Sequence, residues 1–362
     1  MPEVMSSLER VERVLRGGIP DRVPTGLHNF IMSAYASGLP FAEYFQNGEA
    51  MAAGGIQAWR EYGQDLVLLE NGTVALAQAC GCEVEYLPDS APVLVRPVLK
   101  GLDEIDRLVI PDVYTAHPLA ANLKATRLVV QEIGQQACIL GRADQGPFSL
   151  ASMLLGIENF LMAIADPENR TALHRLLEFT TEVVYRYAVA QSEAGAQITS
   201  IGESLAGPDV SSPRVYREYE WPYARKLVER LNKKGIRLAY HICGNATRIA
   251  IEMATTGAAI LELDYKCDLP TIKKAAQGRA VILGAIAPSG VLALGTPELV
   301  VEKVREELSI LGPGGGFILG PGCALPSTTP PENIHALIEA AEKYGRYRAE
   351  GNLENSRFEI GD

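Results

Sequence analysis

The chain has 362 residues, 47% hydrophobic and 21% charged, with a formal net charge of −11 and a pI near 5.1. That balance suits a globular protein with a sizeable core, and the acidity excludes the basic face that a nucleic-acid backbone requires. Glu9, Arg10, Glu12, Arg13 and Arg16 interrupt the opening segment, which therefore lacks the apolar centre of a signal peptide. No apolar run is long enough to span a membrane, so a cytoplasmic protein is expected. Cys80, Cys82, Cys138, Cys243, Cys267 and Cys323 are then expected as thiols or metal ligands rather than a disulfide framework.

In chain order, the first element reads as a helix. Ser6 and Glu9 form a capping box, Leu8, Val11, Val14 and Leu15 make one apolar face, and Gly17 and Gly18 stop it ahead of Pro20. Extended runs follow at Val23 to Leu27 and at Asp65 to Leu69. The stretch from about Cys82 to Pro118 holds Pro88, Pro92, Pro97 and Pro111 with β-prone pieces such as Val93 to Val98, and reads as an irregular excursion. Strand-length apolar runs resume at Cys138 to Arg142, Ile198 to Gly202, Arg237 to Ile242, Ala259 to Asp264, Ala280 to Ala285 and Gly316 to Gly320. Helical segments lie between them. Ser212-Pro213 and Thr296-Pro297 each pair an N-cap with an N1 proline, and Gly235 and Gly312 stand where helices stop.

Strands alternating with helices imply a parallel sheet with helices outside, and eight such units favour a closed (β/α)8 TIM barrel of the α/β class. With no repeat, low-complexity tract or flexible linker, residues 1–362 are expected to form a single domain. It would carry an N-terminal helical extension and the excursion after the second strand. The polar tail beyond Tyr347 is expected to fray.

The most informative segment is Leu238 to Asn245 (LAYHICGN). An apolar strand runs into His241 and Cys243, which lie two apart and so point to one side of an extended strand end. Imidazole and thiolate are good zinc ligands. A third candidate, Cys323, follows the last strand in a glycine-rich turn, Gly316 to Cys323 (GFILGPGC). The carboxyl ends of barrel strands face one mouth, so a His-Cys-Cys site with an open fourth position becomes possible, as in catalytic zinc sites.

These residues resemble the zinc motif of the methylcobamide:coenzyme M methyltransferases, within the uroporphyrinogen decarboxylase superfamily. Arg13 to Pro24 (RVLRGGIPDRVP), Gly146 to Gly156 (GPFSLASMLLG), Gly202 to Pro213 (GESLAGPDVSSP) and Pro326 to Asn333 (PSTTPPEN) extend the resemblance over nearly the whole chain. It implies a (β/α)8 barrel, zinc held by His241, Cys243 and Cys323, and methyl transfer to or from a corrinoid (methylcobamide) carried by a separate protein. No Asp-x-His-x-x-Gly stretch of a cobalamin domain is present in this chain. The decarboxylase branch is less similar. Its arginine-rich first loop is Gly26 to Ile31 (GLHNFI) here, its tyrosine is replaced by Met153, its aspartate by the Glu70-Asn71 region, and its late histidine by Cys323.

Glu203, after the fourth strand, and Asp264, at the end of the sixth, are the candidate catalytic carboxylates. Either fills the fourth metal position or orients the His241 ring, and Glu262 alternates with Asp264 on its strand. His28 and Asn29, after the first strand, and Asn245 are candidates for substrate contact. His117, His174 and His335 read as surface residues, and Cys80 with Cys82 as structural. Three readings follow: a zinc methyltransferase acting as an O-demethylase or thiol methyltransferase, a uroporphyrinogen-type decarboxylase, and a non-catalytic zinc-barrel accessory protein.

Overall fold

The computed structural model describes residues 5–348 and 350–354. The capping box opens the first helix, Ser7–Leu15: the Glu9 carboxylate accepts from the Ser6 N–H at 2.9 Å, and the Ser6 hydroxyl accepts from the Glu9 N–H. Eight parallel strands follow, interrupted by one antiparallel hairpin. They are β1 (Gly26–Leu27), β2 (Leu66–Leu69), β5 (Cys138–Gln145), β6 (Ile198–Gly202), β7 (Arg237–Ile242), β8 (Ile260–Leu263), β9 (Val281–Ile286) and β10 (Phe317–Pro321). Sequential strands are neighbours throughout, in the order β1-β2-β5-β6-β7-β8-β9-β10. A parallel bridge between Thr25 and Leu319 brings the two ends together, with the Leu319 N–H donating to Pro24 O at 2.9 Å. This is the expected (β/α)8 barrel. The closing seam needs a glycine, because a Cβ on Gly320 would lie 2.2 Å from Gly26 O.

Alternate residues point into the barrel, and they form layers. The lower layers are apolar: Leu66 and Leu68 from β2, Cys138 and Leu140 from β5, Ala239, Ile260, Val281, Leu283 and Ile318. Val11 and Val14 of the first helix pack into the same cluster and close the amino-terminal end of the barrel. The helix is fixed there by charge: buried Asp65 accepts from Arg10 Nη1 at 2.6 Å, from Arg22 Nη1 at 2.7 Å and from the Thr25 N–H at 2.8 Å.

The excursion after the second barrel strand contains the antiparallel hairpin β3 (Glu83–Glu85) and β4 (Val93–Arg96), outside the barrel sheet. Cys80 and Cys82 are buried beside it, and burial pushes their thiols up to about 12 and about 11. Ser212 and Thr296 cap their helices as expected. The tail departs from expectation. Tyr347 pairs with Leu353, Leu353 is 1% exposed, and the Tyr347 hydroxyl donates to Gly312 O at 2.8 Å. Two apolar side chains, Tyr347 and Leu353, are thus buried despite their polar neighbours, and residues 349 and 355–362 lie outside the described residues. Among the described residues no single helix is long and apolar enough to cross a membrane.

One buried acid outside the mouth makes stability depend on pH. Glu307 accepts from the Ala285 N–H at 2.9 Å, and burial pushes its carboxyl up to about 8 from 4.5. The folded chain therefore keeps a proton that the unfolded chain has released above 4.5. Its contribution is complete below 4.5 and is lost as pH rises through about 8. Thermal unfolding of Glu307→Gln between pH 5 and pH 8 should fall less with rising pH than that of the parent chain. Parallel slopes would remove Glu307 as the cause.

Candidate metal centre

The layer above the apolar core is polar, and it comes from the same alternation continued toward the carboxyl ends of the strands. Leu66 and Leu68 lead to Glu70, Cys138 and Leu140 to Arg142, Ala239 to His241 and Cys243, and Ile260 to Glu262. His28 follows β1, and Cys323 follows β10.

His241, Cys243 and Cys323 each offer one ligand atom, all mutually within 4.8 Å. His241 Nε2 lies 3.0 Å from Cys243 Sγ, and Cys243 Sγ lies 3.8 Å from Cys323 Sγ. The other ring nitrogen, Nδ1, faces Glu262 O at 3.1 Å. A carbonyl only accepts, so Nδ1 carries a proton toward Glu262 O, which leaves Nε2 as the ring nitrogen that faces the sulfurs and would meet a metal. His241 is buried, whereas both cysteines are partly exposed, so the group opens toward the mouth. The cysteines differ electrostatically. The hydrogen bond from Cys323 and the neighbouring His241 hold the Cys243 thiol well below its usual range against the effect of burial, while the Cys323 thiol is raised. One nitrogen and two sulfurs at this spacing fit a zinc ion with a fourth position left open.

A buried charged network supports the group. His28 is clamped between Glu262 Oε1 at 2.8 Å and Glu70 Oε2 at 3.2 Å, and Glu70 also pairs with Arg142 Nε at 3.4 Å. Burial would raise the Glu262 carboxyl, but His241 and His28 outweigh it and hold it far below the usual range. Arg142 has room because Gly202 lacks a Cβ, which would sit 2.5 Å from its Nη2. Arg142 was not among the residues singled out from sequence. Counting two residues on from Leu140 along the strand finds it.

The other sequence candidates are placed differently from one another. Glu203 does not join the ligand group. Its fully buried carboxylate accepts from the Phe148 N–H at 3.0 Å and the Ser149 N–H at 2.7 Å, at the start of the helix Pro147–Leu155. A helix amino terminus attracts a carboxylate more strongly than an open mouth does, and Gly146 leaves space for it. Burial nonetheless pushes Glu203 up to about 7, and its neighbour Glu220, hydrogen-bonded by the Tyr240 hydroxyl at 2.8 Å, is raised further. Asp264 accepts from the Gly244 N–H at 2.8 Å and so holds the turn after Cys243. Orientation of His241 falls instead to the Glu262 backbone carbonyl, 3.1 Å from Nδ1, with the Glu262 carboxylate standing farther off at 3.9 Å. Asn29 is buried beside His28 with its Nδ2 unpartnered among the described residues. Asn245 is exposed and caps the following turn through Thr247 N–H at 3.1 Å. His117 is exposed, and His174 and His335 are half-buried away from the mouth.

The sequence profile of uroporphyrinogen decarboxylase (URO-D) matches residues 6–344. The chain belongs to that family. Within the family it is 29% identical over 344 residues to the methylcobamide:CoM methyltransferase MtaA of Methanosarcina barkeri, covering 92% of this chain and 97% of the relative. It is 25% identical over 307 residues to the uroporphyrinogen decarboxylase of Xylella fastidiosa, covering 80% and 83%. Among solved structures, a methyltransferase from Methanosarcina mazei superposes with a TM-score of 0.84 at 25% identity, covering 94% of this chain and 99% of that one.

The barrel is expected to fold without metal at the three candidate ligands, which sit at strand ends while the core lies in the layers beneath. Treating the protein with a chelator is expected to remove metal and leave a cooperative thermal transition. Unfolding by chelator alone would mark the centre as structural.

Proposed function

We propose that this URO-D family chain is a zinc-dependent methyltransferase that moves a methyl group between a corrinoid protein and a small molecule. The observation that carries the reading is the His241–Cys243–Cys323 group, with its imidazole tautomer fixed by Glu262 O. When bound, zinc would hold a thiol as thiolate toward methyl-cobalt, or polarise a methyl-ether oxygen while cobalt(I) takes the methyl group. The chain's own residues prepare that site. Glu262 aligns His241 and, with Glu70, fixes His28 at the floor of the mouth. Asp264 and Glu203 act as positioning residues: Asp264 holds the Cys243-Gly244 turn, and the Glu203 N–H donates to His241 O at 2.8 Å. Substrate contact is assigned to His28 and Asn29, both buried, and to Asn245, exposed on the loop after β7, and the whole chain acts as one cytoplasmic unit. The names of the curated methyltransferase relatives, which share 97% of their length with it, support a corrinoid carrier.

Purified protein should contain about one zinc per chain and should demethylate methylcobalamin in the presence of thiols, seen as a change in the corrinoid spectrum. Zinc without any methyl exchange, with thiols or methyl ethers, would favour the accessory-protein reading. The decarboxylase reading predicts coproporphyrinogen from uroporphyrinogen. We expect none at a useful rate, because an octa-carboxylate needs cationic donors and Gly26 to Ile31 supplies no arginine. Accumulating product in a direct assay would overturn that.

A further inference from the structure

The charges around the mouth restrict what can enter it. Eight loops follow the barrel strands: 28–29, 70–74, 146, 203–212, 243–246, 264–268, 287–296 and 322–330. Together they hold one lysine or arginine, Lys266, against Glu70, Glu203, Asp209, Asp264 and Asp268. Lys266 is half exposed, and its ammonium lies 3.7 Å from Asp209. Beyond these loops, Arg248 is exposed on the turn after Asn245.

Inside the mouth the cationic candidates are Arg142 and His28, and each is already matched. Both ring nitrogens of His28 face carboxylates, and Arg142 pairs with Glu70 while Glu262 and Asp144 act on it from nearby. Arg142 keeps Nε and Nη1 without a hydrogen bond among the described residues, but it is only 3% exposed and any anion reaching it would also meet those acids. A zinc ion with two thiolates and a neutral imidazole is itself uncharged. The same loops expose apolar side chains: Val210, Tyr265 and Leu294, on three different loops, are 48%, 47% and 82% exposed.

We propose that the mouth selects a substrate with an uncharged body: the molecule whose sulfur or oxygen reaches the His241–Cys243–Cys323 group carries no sulfonate, carboxylate or phosphate. The inference rests on reading that group as a metal centre. A buried anion without a cationic partner is costly, so discrimination here comes from repulsion and desolvation rather than from added contacts. Neutral methyl ethers, including aromatic ones, and neutral thiols fit the apolar rim.

The test measures binding separately from chemistry. Cobalt(II)-substituted protein is titrated with 2-mercaptoethanol and with 2-mercaptoethanesulfonate, two thiols of similar reach that differ in charge, while the visible cobalt–thiolate absorption is followed. The neutral thiol should bind at least about tenfold more tightly, a difference of about 1.4 kcal/mol. Equal or tighter binding of the sulfonate overturns the inference, and Arg142→Met then shows whether Arg142 holds it. Failure of both thiols to perturb the spectrum also overturns it. Methyl transfer from methylcobalamin to each thiol is measured in parallel. A binding preference without methyl transfer to either thiol leaves the selectivity standing and removes the thiol-methyltransferase reading instead.

Discussion

Replacing either Cys243 or Cys323 with alanine is expected to lower the zinc content from about one atom per chain to near zero. The two sulfurs lie 3.8 Å apart and, with His241 Nε2, complete the ligand group, so a variant that lacks one of them keeps two donors and an ion open to water. Loss of partners that merely orient ligands already costs about 10–100-fold in affinity or activity, so loss of a ligand should cost methyl exchange more than about a hundredfold. Cys267→Ala is the control. Its buried thiol, pushed up to about 11 chiefly by burial, accepts from the Ala246 N–H and belongs to no ligand group among the described residues. Elemental analysis of the three variants decides the matter: full zinc in both Cys243→Ala and Cys323→Ala, or zinc lost in Cys267→Ala, would overturn the assignment.

Asp65→Ala should be the most damaging substitution at the opposite end of the barrel, by about 3–5 kcal/mol. Asp65 is completely buried and receives Arg10, Arg22 and the Thr25 N–H. Without it Arg10, itself 4% exposed, keeps one carboxylate partner, Asp21 at 2.6 Å, besides the Met5 carbonyl, and Arg22 keeps Glu342 at 3.9 Å besides the Val23 carbonyl. The penalty comes mainly from leaving buried positive charge unmatched, not from losing the attraction. The first helix would also lose its anchor, and with it the apolar plug made by Val11 and Val14. Urea unfolding provides the measurement. A loss smaller than about 1 kcal/mol would show that Asp21 alone suffices to hold the helix. Zinc content should be unchanged, because the network lies below the apolar layers and the candidate metal centre above them.

Much of the barrel was legible because local patterns carried it. Each strand was a short apolar run, and the capping box at Ser6 and the proline-started helices at Pro213 and Pro297 marked the intervening turns. A buried parallel strand must be apolar on both faces, which makes its existence plain and its inward face obscure. His241 and Cys243 were legible for a different reason: two strong ligands on one side of a strand end need no distant information. The burial of Leu353 was not foreseen because a single apolar residue in a polar stretch gives no periodicity.

What only the tertiary structure decided is which charges neutralise which. Cys323 is 80 residues from Cys243 and Glu262 is 234 from His28, and their contacts exist because the barrel closes and brings every strand end to one mouth. The direction of the Glu203 carboxylate was also beyond the sequence. A residue following a strand can turn toward the mouth or toward a neighbouring helix, and the free amides of Phe148 and Ser149 supplied the stronger field. The sequence by itself determined the barrel and the chemical type of the candidate ligands, since both depend on residues near one another in the chain. Closure of the barrel decided the partners of Arg142, His28 and Glu203, because electrostatic pairing depends on distances in space that chain order does not encode.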